Sequence, residues 1–562
     1  MNRSPDEVQA EARARAAGGD LAGALEIMDT GLAAHPASAP LANSAGNLAM
    51  KLGDPGRAAD YFGAAAKLEP QSLEFAVNHA IALGAAERHE EALSALLEVE
   101  DQGCTNPRYC SVRGNAARGA RQLDEAAIWY ERSVTLAPGG AKATHGRARV
   151  ALERGEPDAV ERFERALSLN QADAEAWLGY AEALDAGGRA EQARDLAEKL
   201  VAQAPQWLAA LRLLAQLRLA AGEHDFTSHF ATAQQQRPDD PAIARAHVQT
   251  LELHDRFAEA MALAEQASAR FPGDGVFPLL QASYAGIVGD DALATRLFAE
   301  LSLDTPERCL LEARYILHAG EYERAAVLLD RVIESDPWHI NAWAVRDILW
   351  RQTNDPRGEW LHGQEGLVRM IPLPDGDAVL HDAVPVLHRL HDQSAFPLGQ
   401  SLRGGTQTRG SLFDRVEPEL RRLHEALLSA LEDYRSALPP HDPTHPLLRH
   451  RDGEMCVTGS WSVRLSGGGD FHAAHLHPDG IVSSALYCDL PDSFGKTENR
   501  EGFIELGRPP PKMRLDLEPR YTLRPRQGHL ALFPSTLYHG TRPFAEGTRM
   551  TVAFDVQCRE QE

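Results

Sequence analysis

A proline returns at multiples of about 34 residues through the first 340 positions of this chain. Pro36, Pro70, Pro138, Pro205, Pro238, Pro272, Pro306 and Pro337 stand at steps of 34, 68, 67, 33, 34, 34 and 31. Twelve residues before most of them is an alanine: Ala24, Ala58, Ala126, Ala193, Ala260, Ala294 and Ala325. Ala92 and Ala159 keep the same register where the proline is missing. Four residues after the alanine many copies carry a bulky side chain, as at Phe62, Leu96, Tyr130, Phe163 and Phe298. Earlier in the unit a small residue recurs, as at Gly46, Ala80 and Gly114. A period of this length means stacked like units, each burying its apolar face on the next, rather than one closed core. The alanine lets two helices cross closely, the residue four places on lies on the same helix face, and the proline stops the second helix.

One unit reads WLGYAEALDAGGRAEQARDLAEKLVAQAP, residues 177–205. This helix–turn–helix unit resembles the tetratricopeptide repeat. The register gives about nine repeats and a closing helix near Trp343 to Trp360, so that residues 1–362 are expected to form an all-α, right-handed superhelical solenoid. Such a solenoid offers a curved groove for a protein or peptide partner. Trp177 and Trp207 are read as packing residues.

Charge narrows the partners. The chain carries 57 basic and 81 acidic residues, a net of −24. Residues 363–562 hold 27 acidic and 22 basic residues, a net of −5, which leaves −19 on residues 1–362. That balance argues against nucleic acid or an anionic membrane as the main partner. No apolar run reaches the length of a membrane span, and the charged opening MNRSPDEVQAEARARAAGG lacks the apolar centre of a signal peptide. A cytoplasmic protein is expected. Six cysteines without a Cys-x-x-Cys pair suit neither a disulfide framework nor a zinc site and read as ordinary thiols.

The texture changes near residue 365. Residues 363–450 read as a helical linker and entry segment, including QSLRGGTQTRGSLF at 400–413. Residues 451–562 read as a β domain, with strands expected in CVTGSWSVRL, IVSSALYCDL, GFIELG, HLALFPS and RMTVAFDVQ, separated by Gly, Pro and Asp turns. Many short strands at this spacing suggest a sandwich or barrel. Residues 363–562 together hold 12 of the 23 histidines. Two segments concentrate the chemistry: HAAHLHPDG, with His472, His475, His477 and Asp479, and FPSTLYHGTRPF, with His539. His-x-His puts both imidazoles on one side of an extended strand. A third histidine from a distant strand closes a facial set and leaves the opposite metal positions open. A lone histidine at a strand end is usually solvated or bonded to backbone, and His529 is read that way.

The runs SWSVRLSGGGDFHAAHLHPDGIVSSALY and PRQGHLALFPSTLYHGTRPFAEGTRMTVAFDVQ, with QSLRGGTQT ahead of them, resemble the iron(II)- and 2-oxoglutarate-dependent oxygenases found behind tetratricopeptide repeats. The resemblance covers roughly residues 395–558 and implies a double-stranded β-helix (jelly-roll), Fe(II), and 2-oxoglutarate and O2 as co-substrates. It implies His475, His477 and His539 as metal ligands. The wider superfamily's His-x-Asp makes Asp479, two after His477, the alternative member of the triad. Arg549, ten residues after His539, takes the place of the anchor for the far carboxylate of 2-oxoglutarate, with Thr551 two residues on as a further donor and Arg542 as the rival anchor. An arginine fork suits a carboxylate because it pairs bidentately. Tyr487 lies where the superfamily often contacts 2-oxoglutarate, and equally where a barrel has a core tyrosine. His472 is assigned to support of a ligand or to substrate. The implied reaction is hydroxylation of a C–H bond in a protein or peptide recruited by the repeats.

Two other readings use the same residues: a non-catalytic β-barrel on an interaction scaffold, and a cupin-type metal enzyme, which also uses His-x-His. A buried cation at Arg549 separates the oxygenase from the cupin. No nucleotide-binding βαβ pattern is present, so a glycosyltransferase is set aside. Neither the hydroxylated substrate nor the oligomeric state is written in these residues.

Overall fold

The computed structural model describes residues 3–394, 401–491, 494 and 500–559. The chain divides into two compact units, Met1–Ala183 and Leu184–Glu562.

The first unit is helical throughout. Leu21–Ala34 and Pro55–Leu68 start at Asp20 and Asp54, whose carboxylates accept the backbone N–H groups of Gly23 and Arg57. Pro36 and Pro70 follow the ends of these helices, where a missing N–H costs nothing. The repeating alanines Ala24, Ala58, Ala92 and Ala126 are fully buried. The recurring small and bulky positions meet: a methyl on Gly46 would lie 2.7 Å from the Phe62 ring, and one on Gly114 would lie 2.9 Å from Tyr130. Gly179 holds the same relation to Phe163. The bulky residue of one helix thus needs a bare backbone opposite it.

Helical repeats continue into the second unit as Leu208–Ala220 with Ser228–Gln236, Pro241–Glu252 with Phe257–Arg270, Val276–Val288 with Asp291–Glu300, and Pro306–Ile316 with Tyr322–Ser335. Ile340–Gln352 closes the series, and a short π-helix, Glu359–Gly363, follows. Two readings of the sequence need correction. Ten helix pairs occur among the described residues, not nine, because the pair ending in Ser228–Gln236 has the buried Phe226 in place of the marker alanine. Pro306 begins a helix, behind the cap Thr305, instead of ending one. No strand occurs among described residues before Arg369, and no helix is long and apolar enough to cross a membrane.

Eleven strands follow among the described residues: β1 (Arg369–Pro372), β2 (Leu402–Arg403), β3 (Thr406–Gln407), β4 (Glu454–Leu465), β5 (Phe471–His472), β6 (Val482–Asp489), β7 (Ile504–Leu506), β8 (Tyr521–Leu523), β9 (His529–Pro534), β10 (His539–Thr541) and β11 (Arg549–Arg559). The larger sheet runs β1-β9-β6-β11-β4-β3, all antiparallel. The smaller layer contains β10-β7-β8 and β2-β5, joined where His475 bridges His539. Strands alternate between the layers along the chain, from β4 to β5 and β6 to β7, which is the jelly-roll order. The strands β1 to β3 lie in the segment read as helical linker, and they extend the sheets at their edges.

The period-two pattern decides which way β11 faces. Met550, Val552, Phe554 and Val556 join Leu420, Leu427 and Leu431 of helix Pro418–Ser436 in one apolar core behind the sheet. Arg549, Thr551, Ala553 and Asp555 therefore line the inside. At one end Met513 and Tyr538 of the barrel pack into the core of the last repeats, with Leu328, Val345 and Ile348. Ion pairs Arg514–Asp291, Arg403–Asp255 and Arg520–Glu359 ring that junction.

Candidate metal centre

Three histidines meet because of backbone pairing. The His475 N–H donates to the His539 carbonyl and the His539 N–H to the His475 carbonyl, each at 3.0 Å. Residues directly opposed in an antiparallel pair put their side chains on one face. His477, two residues past His475, shares that face. The ligand atoms of His475, His477 and His539 all lie within 4.8 Å of one another.

The other ring nitrogen of each histidine is held. Nδ1 of His475 lies 2.8 Å from the Ala473 carbonyl, Nδ1 of His539 lies 3.2 Å from the Leu537 carbonyl, and Nδ1 of His477 meets the Asp555 carboxylate. These partners only accept, so each Nδ1 carries the proton and each Nε2 turns a lone pair inward. His475 Nε2 and His477 Nε2 are 3.0 Å apart. Two lone pairs at that distance repel unless a cation lies between them. The pair is close enough for one metal ion to be held by both rings. Burial, with His477 beside it, pushes the His475 pKa down to about 3, and burial holds His539 well below the ordinary histidine range. Both are neutral at physiological pH, as metal ligation requires.

His472 stacks on His475 at 5.7 Å between ring centres, and its Nδ1 lies 2.9 Å from Ser401 Oγ. Asp479 is outside the group: its side chain is exposed on the turn after His477, and its carbonyl accepts from Gln557 Nε2 at 2.8 Å. His529 turns back onto the Gln527 carbonyl at 3.1 Å, as a backbone-bonded histidine. The carboxylate that does touch the group, Asp555, was visible in the sequence only as a member of the Arg549 face of β11.

Deeper in the barrel is Arg549, 2% exposed. Its guanidinium lies 5.3 Å from the centre of the Tyr487 ring. Tyr487 faces Thr551 across the β6–β11 ladder, and Thr551 is buried two residues from Arg549 on the same side. Arg549 Nε and Nη1 have no hydrogen-bond partner among the described residues. Burial lowers its pKa, with Tyr487 opposing. An enclosed cation without an anion is costly, on the order of several kcal/mol. These two donors suit an incoming anion such as a carboxylate. Arg542, by contrast, sits on the rim beside Glu505 at 3.7 Å. Gln407, opposite Val463 of β4, also has a buried Oε1 without a partner among the described residues. Neither Gln407 nor Ser401 was singled out in the sequence, because each acts only through pairing with a distant strand.

His472, His475 and His477 open into a cavity of about 1160 Å³. Barrel residues Trp461, Phe471 and Asp555 line it, and so do Glu252, Leu253, Asp255, Phe257 and Ile287 of the repeats.

Comparison with known proteins bears on this geometry. Residues 459–555 match the family described as "Putative 2OG-Fe(II) oxygenase". The C-terminal part of the chain carries a 2OG-Fe(II) oxygenase domain. That domain contains the three histidines, Arg549, Thr551, Tyr487 and Asp555. Residues 43–107 and 157–217 match tetratricopeptide-repeat models. Protein FlbA of Caulobacter vibrioides is 31% identical over 150 residues, 26% of this chain and 25% of FlbA, so the match spans about a quarter of that relative. A tetratricopeptide repeat protein from Parabacteroides merdae is 17% identical, with 43% of this chain and 96% of that one covered and a TM-score of 0.36. MamA from Desulfovibrio magneticus RS-1 is 19% identical, with 30% and 94% covered and a TM-score of 0.28.

Proposed function

We propose that this protein is an Fe(II)- and 2-oxoglutarate-dependent dioxygenase that hydroxylates a C–H bond of a protein or peptide recruited by its repeats. The observation that carries the reading is the buried Arg549, with Nε and Nη1 unpartnered among the described residues, on the same inner face as Asp555, the carboxylate behind His477. A cupin-type metal site or an inert barrel has no use for that buried cation. In this reading His475, His477 and His539 hold the metal, and Asp479 does not. Arg549 receives the far carboxylate of 2-oxoglutarate, with Thr551 and Tyr487 beside it. Residues 363–450 form the entry segment and 451–562 the catalytic core, with 1–362 as the recruiting scaffold.

When bound, iron(II) and 2-oxoglutarate supply oxidative decarboxylation by O2 to succinate and carbon dioxide, with one oxygen atom delivered to a C–H bond. The protein's part is positional. The acceptors Ala473, Leu537 and Asp555 fix each imidazole ring and keep its proton on Nδ1. Asp555 also makes His477 a stronger donor, as carboxylate–histidine pairs do at metal sites. Arg549 orients the co-substrate through a rigid two-pronged pair, and the apolar lining of Phe533, Leu537 and Ile504 keeps water from that end. The six cysteines are free thiols, which supports a reducing, cytoplasmic setting. The test is succinate release from 2-oxoglutarate by the anaerobically purified, iron-loaded protein on admission of oxygen. Failure to bind manganese and 2-oxoglutarate together by calorimetry refutes the reading.

A further inference from the structure

The cavity in front of the histidines is not a barrel pocket alone. Five of its lining residues come from repeat helices: Glu252 and Leu253 at the end of Pro241–Glu252, Asp255 in the turn, Phe257 at the start of the next helix, and Ile287 of Val276–Val288. They face Trp461, Phe471 and the histidines across the cavity, and the Pro509–Pro511 loop forms another wall. The Arg403–Asp255 ion pair spans from barrel to repeat beside them.

Resting on the oxygenase reading, we propose that the repeats complete the active site, and that its occupant is an extended polypeptide segment whose apolar side chain seats against Leu253, Phe257 and Ile287. Three observations carry this. The volume of about 1160 Å³ exceeds that of an ordinary small-molecule pocket, roughly 300–1,000 Å³. Arg549, Tyr487 and Thr551 are not among the cavity's lining residues, so the space is additional to the pocket proposed for 2-oxoglutarate. The repeat side of the lining exposes an apolar side chain beside the acidic Glu252 and Asp255. Leu253 is 48% exposed although it caps a helix that buries seven of its residues. The lining also alternates apolar groups with Glu252, Lys512 and Asp479, a mixture suited to a backbone with varied side chains more than to one small charged metabolite. Glu252 is held in place by the Tyr284 hydroxyl, which donates to it at 2.8 Å. The repeats therefore select the residue to be oxidised, in addition to recruiting its carrier.

The test uses the full chain loaded with manganese and 2-oxoglutarate without oxygen. A fluorescein-labelled positional-scanning library of blocked heptapeptides is the probe, and anisotropy is the readout. The expected result is a preference for an apolar residue at one position. Leu253→Asp should weaken binding of the selected peptides tenfold or more, with the manganese and 2-oxoglutarate affinities retained. Phe257→Ala, which also touches the Tyr284 ring, should act in the same direction, and Leu253→Asp keeps the test sound if that variant folds poorly. The iron enzyme should release succinate faster with those peptides than without them. The inference is overturned if no heptapeptide binds, if both variants bind as wild type does, or if free amino acids stimulate succinate release as well as peptides do. In those outcomes manganese and 2-oxoglutarate still bind. Loss of that binding in the wild type instead brings down the oxygenase reading and this inference with it.

Discussion

Replacing Arg549 with methionine should have opposite effects on the empty and the loaded protein. The side chain is 2% exposed, and Nε and Nη1 lack partners among the described residues. Without co-substrate the fork is a buried, incompletely satisfied cation. Exchanging such a group for an apolar one of similar length is neutral or stabilising, by about 1–4 kcal/mol. With 2-oxoglutarate present the same exchange strands a carboxylate in an apolar barrel. Removing one partner of a buried charge pair costs roughly 2–5 kcal/mol. At ~1.4 kcal/mol per tenfold, that raises the 2-oxoglutarate Kd at least about 30-fold. The assay is paired: urea unfolding of both proteins without ligand, and calorimetric titration of the manganese-loaded proteins with 2-oxoglutarate. Arg549→Met should match or exceed wild type in the first and fail in the second. At 100 times its Kd the ligand should add about 2.7 kcal/mol to wild-type stability and far less to the variant. A variant that unfolds more easily when empty, yet binds 2-oxoglutarate as tightly as wild type, would refute the reasoning and make Arg549 a structural residue.

Other outcomes follow from the same geometry. His475→Ala, His477→Ala and His539→Ala should each lose bound metal by elemental analysis, whereas Asp479→Ala should keep it; the reverse pattern would restore the His-x-Asp triad. Asp555→Asn should retain the fold by circular dichroism but weaken manganese affinity ~10–100-fold, the usual consequence of removing a carboxylate behind a ligating histidine. Gly46→Ala drives a methyl to 2.7 Å from the Phe62 ring and should lower the urea-unfolding free energy by about 1–3 kcal/mol. His445 is fully buried, its Nε2 lies 3.0 Å from the Leu361 carbonyl, and burial pushes its pKa down to about 4. Unfolded histidine titrates near 6.5, so below that pH the unfolded chain takes up a proton that the fold refuses. The contribution is complete above pH 6.5 and is lost as pH falls toward 4, amounting to about 3 kcal/mol at 1.36 kcal/mol per unit. His445→Gln should therefore flatten the fall of the urea midpoint between pH 6.5 and 4.5.

The repeats were legible because their physics is local. Ala58 must be small and Phe62 must be large wherever two helices cross, so the period survives in the letters. The helix pair holding Phe226 escaped notice because it solves that crossing differently. In the oxygenase domain the alternation of RMTVAFDVQ gave both faces of β11 correctly, down to which residues back onto helix Pro418–Ser436. His475 and His477 were legible for the same reason. The same alternation puts Asp555 on the inner face but gives it no role, since nothing in the sequence says that β11 passes behind His477. Ser401, Gln407 and the cavity residues Leu253 and Phe257 lie far from the histidines along the chain, and only tertiary packing brings them near. Such long-range placement leaves no mark on local periodicity.

The position of β11 has a consequence for the order in which the protein is made. This strand follows all the others in the chain, yet it inserts between β6 and β4 in the middle of the larger sheet. It brings Arg549 and Asp555 with it. A nascent chain that has already exposed His475, His477 and His539 still lacks both the proposed co-substrate anchor and the carboxylate that meets His477. The proposed site is therefore incomplete until synthesis has passed residue 555. The cost is kinetic: β4 and β6 must wait with open edges for a partner some 60–100 residues downstream, which makes closure slow and the waiting edges prone to pairing with other chains.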